Sequence, residues 1–154
     1  MVNLGKLLQA QELKLKTMNY KLFSLLFGFS VWLMATLAFR FWGHTFFYVE
    51  NTLLMVGFFL STIPSLYLTT TYVFKKYNLS QKQRFESAIL LAIPGMLCDV
   101  ICLNFHEIVF PTLSIEQSVV LGAWIIWAYV IVLFIGLFSN RLIKPNIKKN
   151  KVAL

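Results

Sequence analysis

"SVVLGAWIIWAYVIVLFIGLFSN", residues 118–140, is the stretch that decides the fold. It holds no charged residue and no proline. A helix needs about 20 mostly apolar residues, at 1.5 Å each, to cross the hydrocarbon of a bilayer. This run is long enough. A membrane β-strand would need only about ten residues, alternating apolar with polar. Here the apolar character is continuous, so the run reads as a transmembrane helix.

Working outward, three more runs match it. Residues 22–39 and 51–74 are uncharged, and residues 87–105 carry one charge, Asp99. The expected architecture is all-α, an integral membrane bundle of four transmembrane helices. The spans fall at about 22–41, 51–74, 86–105 and 118–139, within a membrane domain of residues 21–140. Residues 1–20 precede it as an N-terminal segment, and residues 141–154 follow as a basic tail. The first span is too long for a signal peptide, whose apolar core is roughly 7–15 residues. Only a weak small-residue site lies near its end, at residues 36–38, and Arg40 follows. A retained anchor is expected.

Composition agrees. The chain has 154 residues, of which 58% are hydrophobic and 13% charged. Its mean hydropathy is +0.72. Soluble domains carry about a quarter charged residues, and one this small would have too little interior for so much apolar surface.

Charge placement gives an orientation. Every lysine and arginine except Arg40 lies in the N-terminal segment, the connection between spans two and three, or the tail. Four spans put those three segments on one side. Cytoplasmic loops carry the excess of Lys and Arg, so both termini are expected in the cytoplasm, and a plasma membrane is the expected location. The net charge of +8 then calls for anionic lipid headgroups as partners, and no nucleic acid. Trp42, Phe46, Phe47 and Tyr48 suit the aromatic belt of the opposite interface.

The N-terminal segment allows two readings. Leu4, Leu7, Leu8 and Leu15 share one helical face, as in an amphipathic helix lying on the membrane. Alternatively it is an untidy extension, and Met18 is the true start.

Helices associate in lipid through small residues that permit close approach. Candidate seams are Ser24, Gly28 and Ala35 in span one; Gly57, Ser61, Ser65 and Thr69 in span two; and Gly122, Tyr129 and Gly136 in span four. In span three Ala88, Ala92, Gly95, Asp99, Cys102 and His106 step by threes and fours and so share a face. That face should touch protein and point Asp99 into the bundle. Pro64 and Pro94 lie inside spans two and three, where a kink is expected because each removes a backbone N–H.

An acidic residue within a span is costly and therefore a functional candidate. Asp99 lies about 21 Å along its helix from Phe85. One reading pairs it with Arg40, or with hydroxyls such as those of Ser61 or Thr62, to fix helix register. The other has it load and release a proton, or hold a cation, in a transport cycle.

Cys98, Cys102 and His106 are weak metal candidates beside Asp99. Zinc takes four such ligands, but the cysteines are spaced C-x-x-x-C and His106 falls beyond the helix end. Neither a metal nor another cofactor is expected. Walker A, G-x-S-x-G and H-E-x-x-H signatures are absent from the sequence, so an enzyme is not expected.

"FSLLFGFSVWLMATLAFRFWGH" (23–44), "AIPGMLCDV" (92–100) and "GAWIIWAYVIVLFIGL" (122–137) together resemble a family of small bacterial four-span membrane proteins of unknown function. The resemblance covers residues 21–137 and implies topology, with no activity and no site residues. Two functional classes remain. One is a non-catalytic membrane component acting through helix contacts with itself or a partner. The other is a small oligomeric transporter or channel in which Pro64, Pro94 and Asp99 are the working elements.

Overall fold

The computed structural model of the chain describes residues 4–47 and 49–142. It consists of α1 (Leu4–Phe46), α2 (Thr52–Lys76), α3 (Gln81–Asn104), a single turn α4 (His106–Val109) and α5 (Ile115–Leu142). No strand occurs among the described residues. Among the described residues four stretches are long and apolar enough to cross a membrane: Met18–Phe46, Thr52–Lys76, Gln81–Asn104 and Ile115–Ser139. The protein is an all-α, multi-pass membrane protein.

The helix boundaries follow local chemistry. At the start of α2, Asn51 Oδ1 accepts the Leu54 N–H at 3.2 Å. At the start of α3, Gln83 Oε1 accepts the Ser80 N–H at 3.0 Å. At the start of α5, Ser114 and Gln117 cap each other, with Oγ accepting at 3.2 Å and Oε1 at 3.0 Å. Each arrangement satisfies N–H groups that the first helical turn leaves free. Past the end of α2, Asn78 adopts the left-handed conformation, φ 49°, and turns the chain into α3.

The N-terminal segment is not a separate element. α1 runs without interruption across the expected boundary at residues 20–21. Leu, Lys, Gln and Glu dominate its first turns, and these are good helix formers. Of the proposed amphipathic stripe, Leu8 is exposed; the side chains of Leu4, Leu7 and Leu15 lie outside the described residues, as do residues 143–154 of the basic tail.

α3 is the central helix. It runs parallel to α1 and antiparallel to α5, and α2 packs chiefly on α5. Small residues make these contacts close. Gly28 lies directly on the Leu91 backbone, and Gly136 on Ala88, so that a methyl group at either glycine would overlap its neighbour. The Ser24 and Ser87 hydroxyls meet at 2.8 Å across the α1–α3 interface. Between α5 and α2, Trp124 Nε1 donates to Thr62 Oγ1 at 2.8 Å and Trp127 Nε1 to the Phe59 carbonyl at 3.1 Å.

Most of the expected seam of α2 faces outward, and only Thr69 turns inward. Gly57 has nothing against it, and Ser61 and Ser65 are exposed. The buried residues of α2 are Thr62, Thr70, Thr71, Val73 and Phe74. Spacing shows which residues share a face but not what that face meets. The outward Ser61 hydroxyl satisfies itself on its own helix, donating to the Phe58 carbonyl at 2.8 Å, which suits a group facing lipid; Thr69 is only half-buried and donates to the Ser65 carbonyl at 2.9 Å. Gly122 of α5 is likewise uncontacted. α2 and α3 remain helical on both sides of Pro64 and Pro94.

Two apolar cores form, one at each end of the bundle. Tyr20, Val73, Phe74, Leu79, Ala88 and Ile135 belong to the first, at the end where the α2–α3 connection lies. Phe39, Phe47, Phe110 and Leu121 belong to the second. The first end is also tied by polar contacts. Lys21 Nζ is 3.3 Å from Glu86, which also accepts from the Tyr20 hydroxyl at 2.7 Å. Arg84 is buried and donates to the carbonyls of Leu79 at 2.8 Å and Ser139 at 3.4 Å. A cation among the last carbonyls of α5 opposes the negative end of that helix.

Candidate functional site

Between the two cores lies a cavity of about 110 Å³, to which α1, α2, α3 and α5 all contribute. Asp99 lines it from α3 and is only 6% exposed. Its Oδ1 accepts from the Trp32 indole Nε1 at 2.7 Å. Its Oδ2 accepts from the Tyr129 hydroxyl. The carboxyl thus ties three helices together. Both donors come from well inside their helices, Trp32 in Met18–Phe46 and Tyr129 in Ile115–Ser139. A bilayer interior offers no water to replace them, so the three side chains form a mutually dependent set.

Gly95, one turn before Asp99, makes the set possible. A Cβ there would meet the Tyr129 hydroxyl and would stand 3.0 Å from Trp32 Cδ1. The absence of a side chain lets both rings lie against α3 beneath the carboxyl.

The rest of the cavity wall is mostly apolar and rich in aromatic rings, with Phe39, Phe110 and Trp124 beside Trp32 and Tyr129. The Thr36, Thr69 and Thr70 side chains add hydroxyls. No lysine, arginine or histidine lines it among the described residues. α1 and α2 bound one side. They meet through rings near both ends: Phe27 with Tyr72 at 5.9 Å between centroids, and Phe46 with Phe58 at 5.8 Å. Between those pairs, Val31, Ala35 and Thr36 of α1 and Leu66, Thr69 and Thr70 of α2 line the cavity.

Arg40 is not the partner of Asp99. Its Nη1 donates to the carbonyls of Ile108 at 2.9 Å and Val109 at 2.7 Å. Those carbonyls end the short α4 turn and lack helical partners of their own, whereas Asp99 is supplied by neutral donors closer to hand. Ser61 and Thr62 do not reach Asp99 either. Ser61 donates to the Phe58 carbonyl at 2.8 Å, and Thr62 donates to the same carbonyl at 3.1 Å while accepting from Trp124.

The remaining candidates do not assemble into a ligand set. Cys98 and Cys102 are free and partly buried. His106 opens α4 after the helix breaks at Phe105, and is separated from the cavity. Among the described residues no group of three or more His, Cys, Asp or Glu side chains is placed to hold a metal ion.

Trp32 escaped the sequence reading, which sought small and charged residues. A signal was present. Trp and Tyr in membrane helices favour the interfaces, so Trp32, Trp124 and Tyr129 well inside their spans each need a polar partner within the protein.

Comparison with known families bears on the same helices. A family model matches residues 46–143, from the end of α1 through α5. This chain belongs to DUF5367, a family of unknown function. The matched DUF5367 stretch holds Gly95, Asp99 and Tyr129 but stops short of Trp32. No curated protein and no solved structure matches the chain.

Proposed function

We propose that this DUF5367 protein is a small transporter of a bacterial plasma membrane, and that Asp99 is the group on which a proton or cation is loaded. The observation that carries this reading is the position of the carboxyl. It is the sole acid inside the described spans away from their ends, and it borders a cavity shared by four helices. An ionisable residue held at such a place is costly to keep and marks a path for ions or substrates. Both termini lie in the cytoplasm, a reading supported by the basic residues that cluster in the termini and the α2–α3 connection. Anionic headgroups are held at that surface. The working unit is a homo-oligomer, because four spans enclose little volume.

A second reading rests on the two hydrogen bonds already made to Asp99. On that reading the carboxyl fixes helix register in a non-catalytic component that acts through helix contacts. Reconstituted vesicles with an internal pH dye separate the two. The transport reading expects Asp99→Asn to fold normally and to lose a proton flux that the wild type supports under an imposed gradient. Equal flux from both proteins, or loss of folding alone, favours the structural reading.

A further inference from the structure

We propose that the cavity beside Asp99 binds a compact, weakly hydrated organic monocation of the quaternary ammonium type, in exchange for a proton. The proposal rests on the transport reading and names its substrate class.

Charge comes first. The titratable groups facing Asp99 are Tyr129 on α5 and Cys98 and Cys102 on its own helix. α1 presents Trp32, and α2 contributes the hydroxyls of Thr69 and Thr70 to the same cavity. No cationic side chain lines the cavity among the described residues. A site with mostly apolar walls inside a membrane holds no net charge cheaply. Two states of Asp99 are neutral overall: the protonated acid alone, and the carboxylate with one bound monocation. Moving between them releases one proton for each cation bound.

The walls select the kind of cation. A metal ion or primary ammonium entering the cavity would lose its hydration shell and need several oxygen acceptors in return. The cavity offers Asp99, already accepting twice, and a few hydroxyls. A quaternary ammonium needs no acceptors, because its charge is spread over alkyl groups. Trp32, Trp124, Tyr129, Phe39 and Phe110 line the cavity, and aromatic rings attract such a charge where it is desolvated. Size restricts the ligand: an apolar cavity of about 150 Å³ accepts benzene, and at about 110 Å³ this one has room for only the most compact of such cations.

The test uses full-length protein in vesicles and tetramethylammonium as the probe. Binding is read from tryptophan fluorescence, and proton release from a dye in weak buffer. Tetramethylammonium should saturate the fluorescence change and release a proton. Methylammonium and sodium should bind at least about tenfold more weakly. Asp99→Asn should abolish both signals. Because that variant removes an acceptor that ties three helices, Ala128→Leu serves as a second one. It fills the cavity from α5 without removing the Asp99 contacts, and should also block binding. Methylammonium or sodium binding as tightly as tetramethylammonium would overturn the substrate class. Saturable binding that survives Ala128→Leu would place the ligand elsewhere. Proton flux that depends on Asp99 without tetramethylammonium binding would sink this proposal and leave the transport reading standing. The absence of both would sink both.

Discussion

Gly95 and Tyr129 face each other across the α3–α5 interface with no room for a methyl group between them. The same glycine leaves space for the edge of Trp32. Both aromatic donors therefore depend on one missing side chain. Gly95→Ala should displace them from Asp99 and destabilise the protein by about 1–3 kcal/mol, as overpacking does. Unfolding in mixed micelles measures the loss, and tryptophan fluorescence reports the altered setting of Trp32. An alanine variant with wild-type stability and emission would mean that Gly95 does not hold the two rings in close contact.

Tyr129→Phe and Trp32→Phe each remove one donor and keep an aromatic ring. Polar contacts between membrane helices are worth about 0.6 kcal/mol on average and up to about 1.7. Each variant should fall within that range. Because the two donors share one carboxylate, the double variant should deviate from additivity. The unfolding free energies of the four proteins decide this. Strict additivity would show that Asp99 does not link the two rings.

Close approach of α1 and α3 depends on Gly28, which sits on the Leu91 backbone. Backbone cannot move aside as a side chain can, so Gly28→Val should cost about 1–3 kcal/mol or more. Gly57→Val is the matched control. Nothing contacts Gly57, and a change there should stay within about 0.5 kcal/mol. Thermal unfolding of the two variants should separate them clearly. A large effect at Gly57 would instead reveal a partner helix on the outer face of α2.

The difference between Gly28 and Gly57 also shows how far the sequence could be read. Uncharged runs such as residues 118–140 announce spans because lipid imposes one simple rule on length and polarity. The stripe from Ala88 to Asp99 could be read because α3 is central, and a small-residue face on a central helix meets protein on either side. The same rule misplaced α2. A peripheral helix has one protein side and one lipid side, and small residues are acceptable on both. Trp32 and Arg40 failed for another reason. Sequence logic pairs a buried acid with the nearest base, but long side chains go to whatever unsatisfied group lies within reach. For Arg40 those were two carbonyls beyond the end of α3; for Asp99 they were neutral N–H and O–H donors.

That last contrast yields a direct test. If Arg40 were the counter-ion of Asp99, removing it would leave a buried charge unpaired, at a cost of about 3–5 kcal/mol. Asp99→Asn would then rescue Arg40→Met. The structure gives Arg40 a different task, holding Ile108 and Val109 against α1. Arg40→Met should therefore cost about 1.5–3 kcal/mol, the range for hydrogen bonds from a charged donor. It should loosen the α4 region, which hydrogen exchange at residues 105–110 will register. Its effect should add to that of Asp99→Asn within about 0.5 kcal/mol, because the two side chains share no partner. A coupling of several kcal/mol in that cycle would restore the ion pair and remove the neutral-donor description of the site.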